Sequence, residues 1–260
     1  MRYFVTADVH GYFSELKSAL DEKGFFEDTE PHKLIICGDI YDRGCEALQL
    51  QEFILDLMAK DEIILIRGNH EDMTLELLKG WVNRSFMQRH HHSNGAIDTV
   101  CQLVNSTIPD LMFSEPEETY KKISANPFFT TIIPAMIDFY ETKNYIFTHG
   151  WIPCTILNNG YAKNYVPIDN WREAGEKAWD AARWINGMEA AFNGIVEKGK
   201  TIVCGHWHCS FGHSHYKNDG GEFDNNPNFN PYYNKGIIAL DACTPVSNMV
   251  NCIVIEDAEI

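Results

Sequence analysis

The sequence predicts an α/β fold organised around a parallel sheet, and three observations carry that prediction. Short apolar runs such as Leu34-Ile35-Ile36-Cys37 and Ile63-Ile64-Leu65-Ile66 are continuous rather than alternating, as expected of strands buried on both faces. Amphipathic stretches separate these runs, in a strand–helix–strand rhythm of about 30 residues typical of βαβ units. Polar residues able to do chemistry follow the runs directly, at the carboxyl ends where open α/β sheets place their ligands.

The elements follow in order. Residues 2–7 form a first strand that ends at Asp8. Residues 14–23 read as a helix: Ser14 is a candidate N-cap, Leu16, Ala19 and Leu20 share a face, and Gly24 stops it. Residues 46–60 read as a second helix between the strands at 34–37 and 63–66. Residues 72–143 are less regular, with a helix predicted over 74–82, a polar and basic stretch over 83–94, and Pro109, Pro116, Pro127 and Pro134 as punctuation. We expect a mainly helical insertion there, within a single domain spanning residues 1–260. Tyr145-Ile146-Phe147 and Ile202-Val203-Cys204 read as strands that flank a helix over 170–192. Residues 209–235 are expected to be a long surface loop, richest in Asn, Asp, Gly and Pro from 217 onward, with His213 and His215 as loop residues. The runs 237–240 and 252–255 close the chain as strands. Trp151, Trp171, Trp179, Trp184 and Trp207 read as core, with Trp207 the one to watch.

Composition narrows the function classes. The net charge of −16 argues against a nucleic-acid backbone or an anionic membrane as partner, because both need clustered Lys and Arg. It does not exclude a phosphate substrate, since a site holding divalent cations is locally positive. No apolar run reaches the ~20 residues of a membrane helix. The N-terminus reads as a strand rather than a signal peptide. None of the eight cysteines forms a CxxC pair, so they read as small buried hydrophobes in a reducing, cytoplasmic setting.

Five elements bear chemistry. Asp8 and His10 stand two apart at a strand end, which would put both side chains on one side. Gly38-Asp39-Ile40-Tyr41-Asp42-Arg43-Gly44 follows the second strand. Asp39 can bridge two cations, Asp42 falls beyond them, and Arg43 offers a planar fork suited to phosphate oxygens. In Arg67-Gly68-Asn69-His70-Glu71, Asn69 supplies a hard amide oxygen, and His70, as its neighbour leaving a strand, should face away from the cations. His149 follows the strand at 145–147, and the His206-x-His208 pair follows Gly205. Taken singly, each element has an ordinary reading: a turn Asp and a surface His, a local ion pair, a helix-capping Asn, a structural His. Taken together, the ordinary readings must be invoked five times at the same end of one sheet.

In that order and spacing the motifs resemble the calcineurin-like metallophosphoesterase superfamily, whose pattern is D-x-H, G-D-x-x-D-R-G, G-N-H-E/D, H and G-H-x-H. The fuller strings resemble its phosphoprotein phosphatase branch, shared by bacterial serine/threonine phosphatases and symmetrical dinucleoside tetraphosphatases. The resemblance implies a four-layer α/β/β/α sandwich and two divalent cations, Mn first, with Fe and Zn as alternatives. One ion would be held by Asp8, His10 and Asp39, with His208 added as in many members. The other would be held by Asp39, Asn69, His149 and His206, the pair roughly 3.5–4 Å apart. His70 would be the general acid, Asp42 its orienting partner and Arg43 a clamp on the phosphate. Arg183 would be a second clamp, with Arg172 as the alternative. Asn94-Gly95-Ala96 resembles an Asn-Gly-Gly stretch of related bacterial phosphatases that shapes the pocket, and Asp241 is a candidate second-layer partner of a ligand His. The implied substrates are phosphate monoesters, among them phosphoserine and phosphothreonine. A symmetrical dinucleoside tetraphosphate hydrolase and a non-catalytic metal-binding scaffold are the competing readings.

Overall fold

The structure, a computed structural model, describes residues 1–82, 89–158 and 163–260. Its N-terminal third follows the predicted rhythm: β1 (Arg2–Thr6), α1 (Phe13–Glu22), β2 (His32–Cys37), α2 (Ala47–Ala59), β3 (Ile63–Ile66) and α3 (Asn69–Lys79). Helices α4 (Arg89–Ser93), α5 (Ala96–Leu103), α6 (Ile108–Phe113) and α7 (Pro116–Ser124) follow, then a π-helical turn over Phe128–Ile132 that runs into α8 (Ile133–Ala135). Next come β4 (Phe139–Glu141), β5 (Tyr145–Thr148), a β6 (Cys154–Asn158) and β7 (Lys163–Pro167) hairpin, α9 (Glu176–Ala182), α10 (Gly187–Phe192) and β8 (Thr201–Cys204). The chain closes with α11 (Cys209–Lys217), β9 (Tyr232–Asn234), β10 (Ile237–Ala239), α12 (Thr244–Ser247) and β11 (Cys252–Glu256).

Among the described residues two main sheets, ordered β11-β1-β2-β3 and β4-β5-β8-β10-β9, form beside the two-stranded β6-β7 pair. In the first, β1, β2 and β3 are parallel and β11 pairs antiparallel with β1. In the second, β5, β8 and β10 are parallel between antiparallel edges. The period-2 side-chain alternation sorts the apolar runs into layers. Tyr3, Val5, Ile35 and Cys37 pack inward against Phe147, Val203 and Leu240 of the other sheet. Their neighbours Phe4, Leu34 and Ile36 point outward onto α1 and α2. On the far side Ile146, Ile202 and Ile237 meet Trp179 of α9 and Met188 of α10. The result is the expected α/β/β/α order, and it explains why these runs are apolar without a break. Leu77, Trp81, Ile97, Val100 and Ile123 form a separate cluster among α3, α5 and α7.

Several local predictions change. Ser14 does not cap α1; its N–H and hydroxyl both donate to the Glu46 carboxylate, at 2.9 and 2.5 Å, so the cap comes from the next loop. Helix α3 begins at Asn69 rather than 74, because the Glu71 carboxylate accepts the Gly68 N–H at 2.8 Å and satisfies the helix start. The helix predicted over 170–192 is broken. Asn186 caps α10 afresh by accepting from the Met188 and Glu189 N–H groups, and a Cβ at Gly187 would meet Trp151 at 2.5 Å. The predicted loop over 209–235 begins as helix α11, which ends at Asn218 in the left-handed region, and it contains β9. His213 is therefore a buried helical residue whose Nε2 lies 3.1 Å from the Asn230 carbonyl. The β6–β7 hairpin was not anticipated. Residues 83–88 of the predicted polar stretch lie outside the described residues. Among the described residues, no helix is long and apolar enough to cross a membrane. Cys37, Cys101, Cys204, Cys209 and Cys252 are buried free thiols, whereas Cys45 is exposed.

Candidate metal centre

The loops that leave β1 and β2 continue side by side past the ends of the strands. Asp8 donates its N–H to the Gly38 carbonyl, His10 to Asp39 and Gly11 to Ile40, at 2.8–3.2 Å. The chain bends sharply to achieve this. Among the described residues, six of the thirteen non-glycine residues with positive φ are Asp8, His10, Asp39, Asp42, Arg43 and His206. Such backbone costs about 1–3 kcal/mol per residue and persists only where the surroundings enforce it. Asp8 and His10 are thus not an extended same-side pair. Asp8 turns both oxygens to the His206 N–H, at 3.0 and 2.9 Å, while His10 points toward Asp39.

Asp39 is the hub. His10, Asp39 and His70 bring one ligand atom each within 4.8 Å of one another, and Asp39, His149 and His206 do the same. Two groups of ligand type therefore share one carboxylate. Asn69 joins the second group, its Oδ1 2.8 Å from His149 Nε2. The rings are oriented from behind. His10 Nδ1 lies 3.1 Å from the Tyr41 carbonyl and His149 Nδ1 2.8 Å from the Cys37 carbonyl. A ring that donates from Nδ1 leaves Nε2 bare and aimed inward, as a metal ligand requires. Close approach is essential here: a Cβ on Gly205 would overlap the Asp8 carboxylate, and one on Gly68 would overlap Asp39.

The charges fit cations. Burial, then the neighbouring Asp241 and Asp39 charges, raise the Asp8 pKa well above the carboxylate range. Burial also raises that of Asp241, whose Oδ1 accepts the Cys243 N–H at 2.7 Å rather than contacting a ligand His. Burial opposes the Asp39 anion, but His149, His70, His10 and His206 around it hold its pKa well below the usual value. Burial, Arg43 and His70 push His10 far down, and desolvation and His149 push His206 down to about 3. The His10 and His206 imidazoles, kept neutral, beside crowded, mutually repelling carboxylates are a donor set that divalent cations would relieve.

His70 faces into this centre, not away from it, because Asn69 and His70 occupy the first turn of a helix and strand alternation does not apply. Its Nδ1 lies 2.7 Å from Asp42 Oδ2 and its Nε2 3.1 Å from Arg43 Nη2. Burial disfavours the imidazolium, yet Asp39 and Asp42 raise the His70 pKa overall. The Arg43 contact belongs to the neutral ring, whose Nε2 can accept. Arg43 also reaches His10 Nε2 at 2.7 Å and Asn94 Oδ1 at 3.5 Å.

Four predicted residues are placed elsewhere. His208 Nε2 pairs with Glu222 at 2.9 Å, outside both ligand groups. Arg183 is buried and spends its guanidinium on Asp72, Asp138 and Asp180, so no fork remains for a phosphate. Its alternative, Arg172, is tied to Glu141 and Glu197 and covers Trp171. Trp184, expected in the core, is 54% exposed, its ring 5.8 Å from that of His206. Two residues went unpredicted. The Glu71 carboxylate accepts the N–H groups of Gly68, Asp39 and Ile40, and this clamps the two central loops together. Its place three residues after the helix start is a recognised capping signal. Thr99 on α5 donates to Asp42 Oδ1 at 2.8 Å and accepts the Asp42 N–H at 3.0 Å. No local signal links residues so far apart in sequence.

A family model described as calcineurin-like phosphoesterase matches residues 1–210. Among curated proteins, the asymmetrical bis(5'-nucleosyl)-tetraphosphatase PrpE of Bacillus velezensis is 27% identical over 86 residues, 31% of this chain and 34% of that protein. Serine/threonine-protein phosphatase 1 of Salmonella typhimurium is 37% identical over 73 residues, 28% of this chain and 31% of that protein. The matches thus span about a third of the length of these curated relatives. Among solved structures, a cold-active protein-tyrosine phosphatase of a Shewanella species aligns with a TM-score of 0.49 at 17% identity, over 98% of this chain and 75% of that one.

Proposed function

From its membership of the calcineurin-like phosphoesterase family, we propose that this chain is a cytoplasmic two-metal phosphatase that hydrolyses phosphate monoesters, with phosphoserine and phosphothreonine in proteins as the substrate class. The observation that carries the reading is the pair of ligand-type groups sharing Asp39, one of which includes His70, itself paired with Asp42. His10, Asp8 and Asp39 would hold one ion, and Asp39, Asn69, His149 and His206 the other. Mn(II) is the first candidate for this mixed nitrogen and oxygen set. When bound, the ions supply Lewis acidity and a nucleophile at neutral pH.

The chain's own groups do the rest. Arg43, the guanidinium within reach of both His10 and His70, grips non-bridging phosphoryl oxygens. His70 takes up a proton at Nε2 and delivers it to the departing alkoxide. Asp42 holds Nδ1–H throughout and stabilises the imidazolium. A site that merely held metal would have no use for this buried His–Asp pair, which argues against a scaffold.

One observation favours a second reading, a dinucleoside tetraphosphate hydrolase: the exposed Trp184 ring beside His206 could stack on a nucleobase. Arg43 is the one guanidinium among the predicted clamps not already neutralised, which is sparse for a polyphosphate and favours the monoester. The test is turnover of metal-stripped protein, with Mn(II) restored, on a phosphoserine peptide and a dinucleoside tetraphosphate side by side. Metal-dependent phosphate release from the peptide supports the proposal. Nucleotide release with the peptide untouched replaces it with the second reading.

A further inference from the structure

Away from Asp39, helices α3 and α4 bring three more ligand-type side chains together. Glu76 lies six residues beyond His70 on α3, about 9 Å further along the helix axis. Nε2 of His90 and Nε2 of His91, on α4, lie 3.4 and 3.6 Å from Glu76 Oε2. One ligand atom from each of the three residues lies within 4.8 Å of the others, and the two rings are 4.0 Å apart. The His91 side chain is 1% exposed, while those of His90 and Glu76 are 40% and 55% exposed, so the group opens to water on one side.

We propose that Glu76, His90 and His91 form a third cation site, of the two-histidine, one-carboxylate kind, that takes Zn(II). Zn–N and Zn–O bonds of about 2.0–2.2 Å in tetrahedral geometry set ligand atoms roughly 3.4 Å apart. The two separations to Glu76 match that spacing. His90 Nε2 meets Glu76 Oε2 as a long hydrogen bond, well beyond the about 2.7–2.9 Å of a charge-assisted imidazole–carboxylate pair, so both rings stand at ligand spacing from the carboxylate. Two neutral imidazoles and one carboxylate suit Zn(II) better than Mg(II) or Ca(II), which prefer all-oxygen cages. Water completes the fourth position on the open side. The site shares no residue with the Asp39 centre, so it does not depend on the function proposed for that centre.

Its place suggests what it does. The residues that follow α4 back Arg43: Asn94 Oδ1 lies 3.5 Å from Arg43 Nη2, and a Cβ on Gly95 would meet the Arg43 nitrogen at 2.5 Å. A cation that ties α4 to α3 holds this wall in register with the helix that carries His70.

The test is Zn(II) binding to chelator-stripped protein by equilibrium dialysis and elemental analysis. The Asp39→Asn variant, which disables the shared carboxylate, should keep one equivalent of Zn(II). Adding Glu76→Gln or His90→Asn should weaken that equivalent by about 10–100-fold or more. His92, exposed and outside the group, is the control, and His92→Asn should leave the affinity unchanged. If Asp39→Asn fails to fold, the same comparison is made in the otherwise unaltered chain, where Glu76→Gln should remove one equivalent from the total. Loss of all Zn(II) from a folded Asp39→Asn variant overturns the proposal, as does an unchanged affinity in Glu76→Gln. An equal loss in His92→Asn would mean adventitious binding to a histidine tract. Retention of this equivalent in the unaltered chain, without any phosphatase activity once Mn(II) is restored, would sink the proposed function while leaving the third site standing.

Discussion

Thr99→Val is the substitution that tests how the centre is held. Valine keeps the shape of threonine, so no cavity opens at this 1% exposed position. Two hydrogen bonds disappear: Thr99 Oγ1 to Asp42 Oδ1 at 2.8 Å and Asp42 N to Thr99 Oγ1 at 3.0 Å. A bond to a charged acceptor is worth about 1.5–3 kcal/mol, and a buried N–H left without an acceptor costs about 1–3 kcal/mol. Both belong to one contact and do not add fully, so we expect a loss of about 2–4 kcal/mol of stability, read by urea denaturation. Asp42 keeps its 2.7 Å contact with His70 but loses the support behind it. If about 1 kcal/mol of this reaches the imidazolium, kcat on a phosphoserine peptide falls roughly fivefold. On p-nitrophenyl phosphate, whose leaving group hardly needs a proton, the fall should be smaller, with metal content unchanged. Equal losses on both substrates would refute the link from Thr99 through Asp42 to the proton donor. A stability change under about 0.5 kcal/mol would show that the contact does not hold Asp42.

Three further expectations can be checked with similar assays. His70→Asn should keep both metals and lose about 100-fold or more of kcat on alkyl phosphates, and much less on p-nitrophenyl phosphate; equal losses would remove its role as general acid. Gly205→Ala places a methyl group against the Asp8 carboxylate and should cost about 1–3 kcal/mol as overpacking, seen as a lowered thermal midpoint together with weaker Mn(II) binding. Arg172→Leu should leave kcat/KM unchanged yet destabilise the protein in a pH-dependent way. The Arg172 hydrogen bond holds the Glu141 pKa below its usual value, so that contribution is present above about pH 4.5 and is lost as the pH falls through the lowered pKa. The stability gap between wild type and variant should therefore shrink on acidification, and a gap that widens toward low pH would contradict the assignment.

The strands were legible because burial on both faces leaves an uninterrupted apolar run, and the runs at 34–37 and 63–66 fall within β2 and β3. The placement of Asp39, Asn69, His149 and His206 just past strand ends was legible for a related reason, but the first two follow strands of one sheet and the last two strands of the other, not a single sheet. The orientation of the side chains was less readable. Same-side placement of Asp8 and His10 assumed extended backbone, and both residues are left-handed. Strand alternation fails at Asn69 and His70 because a helix has already begun there. The position of Arg183 between the last two histidine motifs marks it as a clamp but carries no sign of the three carboxylates that gather around it from residues 72, 138 and 180. The broken helices near 170–192 and the hairpin at β6–β7 depend on contacts made by the completed fold, such as Gly187 against Trp151.

The left-handed bends at Asp8, His10, Asp39 and His206 also bear on how mutants of this centre should be interpreted. Asp, Asn and His are the non-glycine residues that tolerate such bends best, and they are equally the residue types that bind hard and borderline cations. Backbone conformation and coordination chemistry therefore select from the same small alphabet at these positions. An alanine there removes a proposed ligand and disfavours the bend at once, so its phenotype mixes two losses. Asparagine keeps the bend and deletes the charge, while glycine keeps the bend and deletes the side chain. At Asp8 and Asp39, comparing those two replacements separates what the loop needs to fold from what the cations need to bind.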